Sequence, residues 1–265
     1  MLWLYDMPTW LMGLFIVGTF TGLSVIGLYA TRRLVLQITG PGPGHNEGVD
    51  AYIGAAAVLY GLVAGLIAVA AWEQYASLDD KVTQEASSLG ALYRNVEAYR
   101  EPYGSKLRSE LRGYTLAVID GWPQLQNGKV PIDPANDLNT FESTLYSFEP
   151  KSERERLIDA AAITELDHMT ELRRERLHNK DAGLPRELWA VVLIGGTLTM
   201  FLTYFLALER FKVHLVMTIV SSVMAALLIF MIATVDHPFR GEVSIGPDAF
   251  QLTYDQLMSQ QFSSR

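Results

Sequence analysis

The sequence predicts an all-α membrane protein in which two transmembrane helical hairpins flank an extramembrane helical insert. Three observations predict it. Residues 10–30, 51–72, 188–208 and 215–235 are apolar stretches without one Asp, Glu, Lys, Arg or His. At ~1.5 Å of rise per residue, each is long enough as a helix to cross a hydrocarbon core of ~30 Å. Finally, the polar stretch between the second and third spans shows helical rather than strand periodicity.

The first span, residues 10–30, is preceded by nine residues with no Lys or Arg and followed by Arg32-Arg33. A cleaved signal peptide would have a basic start and a shorter core, so this stretch reads as a retained span. A buried helix of a soluble protein would be shorter and carry a polar stripe. In lipid the backbone finds no water, and the helix is the form that satisfies its own N–H and C=O groups. The Gly40-Pro41-Gly42-Pro43-Gly44 run that follows reads as the turn of the first hairpin.

The second span, 51–72, flows into the insert. Leu78, Val82, Leu89, Leu92, Val96 and Tyr99 continue an apolar stripe at three-and-four spacing, with Glu85 on the same stripe. The helix is therefore expected to leave the bilayer unbroken and run until Pro102 stops it. Leu107, Leu111, Tyr114 and Val118 predict a helix over 106–120, closed by Trp122-Pro123. Three prolines with Asn, Gly and Asp make 123–136 a loop, and a short helix over 138–148 follows. Ser152 with Glu155 forms a capping box opening a long helix with a stripe of Ile158, Ala162, Met169 and Leu172. It is expected to dissolve near Asn179–Gly183, with Pro185 in the first turn of the third span.

The resulting organisation is residues 1–50 as first span and hairpin loop, and 51–72 as second span. Residues 73–184 form the insert, 185–241 the third and fourth spans, and 242–265 a C-terminal tail.

Composition narrows the function. The chain is 49% hydrophobic and 19% charged with a net charge of −8, and it has no dense Lys/Arg run, which argues against a nucleic-acid partner. No cysteine is present, excluding disulfides, thiolate metal sites and thiol catalysis. Glu165 and His168 have the i, i+3 spacing of di-iron bundles, but there is only one such pair, so neither a metal nor another cofactor is expected. Hydrolase elbows, His-Glu-x-x-His and phosphate loops are missing from the sequence, and no enzyme is predicted.

Within the spans the chemistry comes from small residues. Gly18 and Gly22 in the first span and Gly61 and Gly65 in the second make small-xxx-small faces, extended by Ala57, Ala64, Ala68 and Gly195-Gly196. The leading reading is close packing inside the four-helix unit; the other is a set of helices lining an oligomer axis. The pore-lining or packing candidates are Ala57, Tyr60, Gly61, Ala64, Gly65 and Ala68. Without ionisable groups in the spans, any ion path would be lined by apolar or hydroxyl side chains and gated by width or dewetting. Thr19, Thr21, Ser24, Thr197, Thr199 and Thr203 are the hydroxyls available, although such groups usually bond their own helix.

At the membrane edges, Trp72-Glu73 leaves the second span and Asp236-His237, with Arg240 after them, leaves the fourth. Both exits lie on one membrane face, so Trp72, Glu73, Asp236, His237 and Arg240 form a candidate polar cluster, the aromatic rings doubling as interface anchors. Arg32, Arg33, Arg210 and Lys212 in the two hairpin loops place the hairpin tips in the cytoplasm by the short-loop charge rule.

The stretch from Trp72 to Tyr75, the Tyr93 region, Arg112-Gly113-Tyr114 before Trp122-Pro123, Gly183-Leu184-Pro185 with Trp189, and Asp236 to Gly241 together resemble the bacterial bestrophin-like four-span family. The resemblance covers essentially the whole chain. It implies a multi-pass protein of the bacterial inner membrane, homo-oligomeric, as a pentamer, with small anions passing along an axis lined by the second spans. It also implies a cytoplasmic insert, opposite to the charge rule. The calcium clasp of bestrophins is not carried over, because Asp236, Glu242, Asp248 and Asp255 are scattered. A second function, from another class, is a non-conducting membrane scaffold or sensor whose helical insert binds a partner protein.

Overall fold

The computed structural model describes residues 2–39, 45–206, 208 and 210–259. Its α-helices are α1 (Thr9–Thr39), α2 (His45–Glu97), α3 (Tyr103–Gln126), α4 (Asp133–Tyr146), α5 (Glu153–His178), α6 (Arg186–Thr203), α7 (Phe211–Asp236) and α8 (Asp248–Thr253). The architecture is all-helical among the described residues, and α1, the first part of α2, α6 and α7 are long and apolar enough to cross a membrane. The Gly40–Gly44 turn expected in the first hairpin lies outside the described residues.

The chain divides into two compact units, with α2 contributing to both. The first comprises residues 1–75, 183–237 and 241–243. Here α1 packs along α7, and Ile67 and Ala68 of α2 meet Val192 of α6 and Ile229 and Ile232 of α7, with Phe20 and Trp189 against them. In lipid such an interface is held by van der Waals fit and hydrogen bonds, because tails are as apolar as the side chains they replace. Leu14, Leu23, Ile26, Leu62, Leu198 and Met224 are correspondingly exposed.

The second unit comprises residues 76–182, 238–240 and 244–265. Water drives its assembly: Leu89, Leu92, Leu107, Leu111, Phe141, Leu145, Leu166 and Phe250 are all buried, each contributing about 1.5–3 kcal/mol by transfer. Every member of the α2 stripe from Leu78 to Tyr99 is buried, as its spacing requires. Ser152 accepts from the Glu155 N–H at 3.2 Å, so the cap of α5 forms. Glu155 reaches back one residue farther than a capping box prescribes, taking the Lys151 N–H at 2.6 Å.

Several boundaries differ from expectation. α1 runs through Arg32-Arg33 to Thr39, so these arginines sit on helix and not in the loop; a helix end protruding into water tolerates charge. α2 stops at Glu97, five residues before Pro102. Pro123 lies inside α3 because burial of Trp122 and Leu125 on either side carries the helix one more turn. Pro134 occupies the first turn of α4, where a missing N–H is harmless, and this helix starts earlier than expected. α6 ends at Thr203, where Tyr204 turns the chain and its hydroxyl donates to Ser24 O at 2.8 Å. The residues expected as a tail carry α8 and a π-helical turn, Tyr254–Met258, with Phe250 and Met258 buried in the second unit.

Candidate functional site

The first unit gathers its polar groups on one carboxylate. Asp236 ends α7, and its side chain is 6% exposed. Its Oδ1 accepts the Leu184 backbone N–H at 2.6 Å, while Oδ2 accepts Tyr5 Oη at 3.0 Å and Trp189 Nε1 at 3.1 Å. A carboxylate at the negative end of a helix is electrostatically disfavoured, and three donors offset this. Burial, and then the adjacent Asp236 charge, push the Tyr5 phenol above its ordinary range, so it stays the donor.

Local sequence makes this convergence possible. The His237 ring packs edge-on to Tyr5 at 4.6 Å, and a Cβ on Gly183 would lie 2.6 Å from that imidazole. Gly241 adopts φ +85°, a left-handed conformation suited to glycine, with Tyr5 O beside it. Glu242 then accepts the Thr9 N–H at 2.8 Å, at the start of α1. One carboxylate thereby ties the N-terminal segment, the approach to α6 and the end of α7, with His237 Nε2 3.8 Å from its Oδ2.

The other members of the predicted edge cluster go elsewhere. Trp72 stacks on Tyr75 at 5.8 Å, Glu73 is exposed, and Arg240 belongs to the second unit, where it meets Asp181 at 3.2 Å. Tyr5, Leu184 and Trp189 were not among the predicted site residues. Trp189 and the Gly183-Leu184-Pro185 run stood out in sequence, but nothing local ties them to a residue some fifty positions away.

The candidate residues of α2 divide by face. Tyr60, Ala64 and Ala68 turn inward, the Tyr60 ring lying over Gly195 and Gly196, where a Cβ would approach it to 2.9 and 2.8 Å. Gly61 and Gly65 have nothing within 4 Å, and Ala57 is exposed. Gly18 and Gly22 of α1 are open in the same way. Gly18, Gly22, Gly61 and Gly65 thus meet no neighbour inside the four-helix unit, whereas Ala64, Ala68, Gly195 and Gly196 pack within it, so the packing reading holds for only part of these faces. Opposite the packed face, Leu59, Leu62, Leu66 and Val69 form an exposed apolar stripe that ends at Glu73. The hydroxyls are mostly spent on their own helices: Ser24 on Phe20 O, Thr197 on Leu193 O and Thr199 on Gly195 O.

The second unit holds a buried ion pair. Arg176 grips Glu85 with two bonds, Nε to Oε2 at 2.7 Å and Nη2 to Oε1 at 2.9 Å, and its guanidinium lies 5.1 Å from the Trp122 ring. Glu85 was visible as a charge in an apolar stripe, and Arg176 continues the α5 stripe four residues after Leu172; that pairing of signals identifies them.

Fold and site together define a four-span membrane protein with an inserted helical unit. The family model described as the bestrophin-like domain matches residues 18–250, and the chain belongs to the bestrophin-like family. Two crystal structures share the fold. One is a bacterial bestrophin homologue from Klebsiella pneumoniae carrying a point mutation, with a TM-score of 0.64, 12% identity, and 91% of this chain and 97% of that one covered. The other is a membrane protein, also a point variant, with a TM-score of 0.64, 11% identity, and 92% and 97% coverage. No curated protein matches the chain.

Proposed function

We propose that this protein is the subunit of an oligomeric anion channel of the bacterial cell membrane, a pentamer by its family resemblance, with the open face of α2 lining the axis. The observation that carries the reading is that face. Leu59, Leu62, Leu66 and Val69 are each more than half exposed and point away from the helices of their own unit. An apolar stripe of this kind, repeated around a symmetry axis, would make a constriction that conducts by wetting and closes by dewetting. Gly61 and Gly65, flanking it, would let a neighbouring backbone approach closely.

The test is chloride efflux from liposomes containing the purified protein. Flux is expected, and Leu62→Ala with Leu66→Ala should raise it several-fold by widening the constriction. Well-folded protein that passes no anion overturns the reading.

A second reading rests on Glu73, which stands at the end of the same stripe. A ring of carboxylates at a pore mouth draws cations. The reversal potential under a potassium chloride gradient separates the two, and Glu73→Gln should shift it toward the anion limit if the carboxylates face the path.

A further inference from the structure

We propose that the hairpin-tip end of the membrane unit holds the phosphate headgroup of an anionic phospholipid. A narrow cleft of about 10 Å³, room for one water, opens to the surface there, lined by Arg32, Tyr204 and His214 with Leu28, Val35 and Leu208, so that a headgroup sits at its mouth and not inside it. Its polar groups are unequally committed. Tyr204 Oη donates to Ser24 O at 2.8 Å, and His214, 4% exposed, sets Nε2 3.0 Å from Thr203 O. Arg32 is different: its guanidinium carbon lies 4.2 Å from the Phe211 ring centroid, and no carboxylate reaches it within 4 Å among the described residues. A half-buried guanidinium placed over an aromatic ring leaves N–H donors for an oxyanion.

The surroundings favour phosphate over carboxylate partners from the protein. α7 begins beside Arg32 with no acidic residue in its first turn and no side-chain cap, and Lys212 is exposed on that turn. The positive end of α7 adds to the two cationic side chains. In sequence, Arg32, Arg33, Arg210 and Lys212 at the tip ends of the two hairpins outnumber Glu47, Asp50 and Glu209.

A lipid fits better than a free ion because of where the cleft lies. It sits at the ends of three apolar spans, its floor is leucine and valine, and the same turns of α1 and α7 expose Tyr29, Leu34 and Val213 to an acyl chain. Basic pockets between spans recognise anionic headgroups in this manner. The site also gives the hairpin-tip arginines a role other than orientation, and it holds in whichever leaflet the tips lie.

The experiment is native mass spectrometry of the full-length protein after washing in micelles doped with dioleoylphosphatidylglycerol or dioleoylphosphatidylcholine. The wild type should retain phosphatidylglycerol through washing that strips phosphatidylcholine. Arg32→Gln with Lys212→Gln should lower retention roughly tenfold or more, the equivalent of a lost charge-assisted hydrogen bond. Arg32→Lys keeps the charge and guards against misfolding; it should weaken retention less, and Arg33→Gln, exposed on α1, should leave it intact. Equal retention of the two lipids, or retention unchanged in both Arg32 variants, overturns the proposal. So does thermal stabilisation by inorganic phosphate that matches the lipid's effect and disappears in Arg32→Gln, which would make free phosphate the ligand.

Discussion

Arg176 and Glu85 face each other through two hydrogen bonds at 2.7 and 2.9 Å, with their side chains 5% and 0% exposed. Two charges so deeply buried are tolerable only as a pair, since either one alone would carry an uncompensated desolvation penalty. They join α2 to α5 across the core of the second unit.

Breaking that pair from one side should be severe. Glu85→Ala or Arg176→Ala is expected to destabilise the extramembrane unit by about 3–5 kcal/mol, whereas replacing both by apolar residues of similar volume should recover most of the loss. Thermal unfolding of the four proteins in detergent, followed by helical circular dichroism, forms the double-mutant cycle that checks this.

Asp236→Asn keeps the shape of the anchor but turns one acceptor into a donor. Its amide nitrogen then faces either the Leu184 N–H or the Tyr5 and Trp189 donors together, at a cost of about 1–3 kcal/mol per donor left unpaired. Hydrogen exchange should show faster turnover at the Leu184 amide and in residues 2–9, with the middle of α7 unchanged. Unchanged protection at Leu184 in an Asp236→Ala variant, which has no side-chain acceptor, would count against Asp236 as its partner.

Glycines with similar sequence signatures should behave in opposite ways. Gly195→Ala places a Cβ 2.9 Å from the Tyr60 ring and Gly196→Ala one 2.8 Å from its hydroxyl, and both should lower the melting temperature of the isolated subunit. In Gly61→Leu with Gly65→Leu the added Cβ atoms meet nothing within 4 Å, so the change should leave subunit stability nearly unchanged and instead disrupt assembly, read as oligomer size in detergent. An intact oligomer carrying both leucines would show that this face is not buried between copies.

The cap of α5 should be acid-sensitive. The Lys151 N–H first, and Arg100 after it, hold the Glu155 carboxyl below its ordinary range. A folded value below the unfolded one means the unfolded chain binds the proton more readily. The stabilisation is therefore complete above the ordinary carboxylate range and fades as pH falls through the lowered folded value. Glu155→Gln should flatten this part of the acid-unfolding curve by lowering stability at neutral pH while leaving stability below the lowered folded value little changed.

The spans were legible because twenty residues without a charge leave few alternatives to a membrane helix, and the α2 stripe from Leu78 to Tyr99 because burial in water enforces periodicity. Pro123 misled because local propensity marks a stop, while the burial of Trp122 and Leu125 overrides it. The Asp236 anchor was only half visible. Its partners come from the N-terminal segment and from the approach to α6, and no local rule links Tyr5 to a residue 231 positions away. The small-residue faces were found, but sequence alone does not say what lies opposite: Gly61 with Gly65 and Gly195 with Gly196 are both glycine pairs in apolar spans, yet of the two only the latter meet Tyr60.

The most direct test of the central claim uses the natural absence of cysteine, which allows single cysteines to be introduced without background. Leu62→Cys, Leu66→Cys and Ala64→Cys are reconstituted in liposomes and exposed to a charged, membrane-impermeant thiol reagent during anion efflux. Modification should block flux through Leu62→Cys and Leu66→Cys and leave Ala64→Cys untouched, because Ala64 faces its own helices. Block at Ala64→Cys with none at the two leucine positions would contradict an axis lined by the open face of α2.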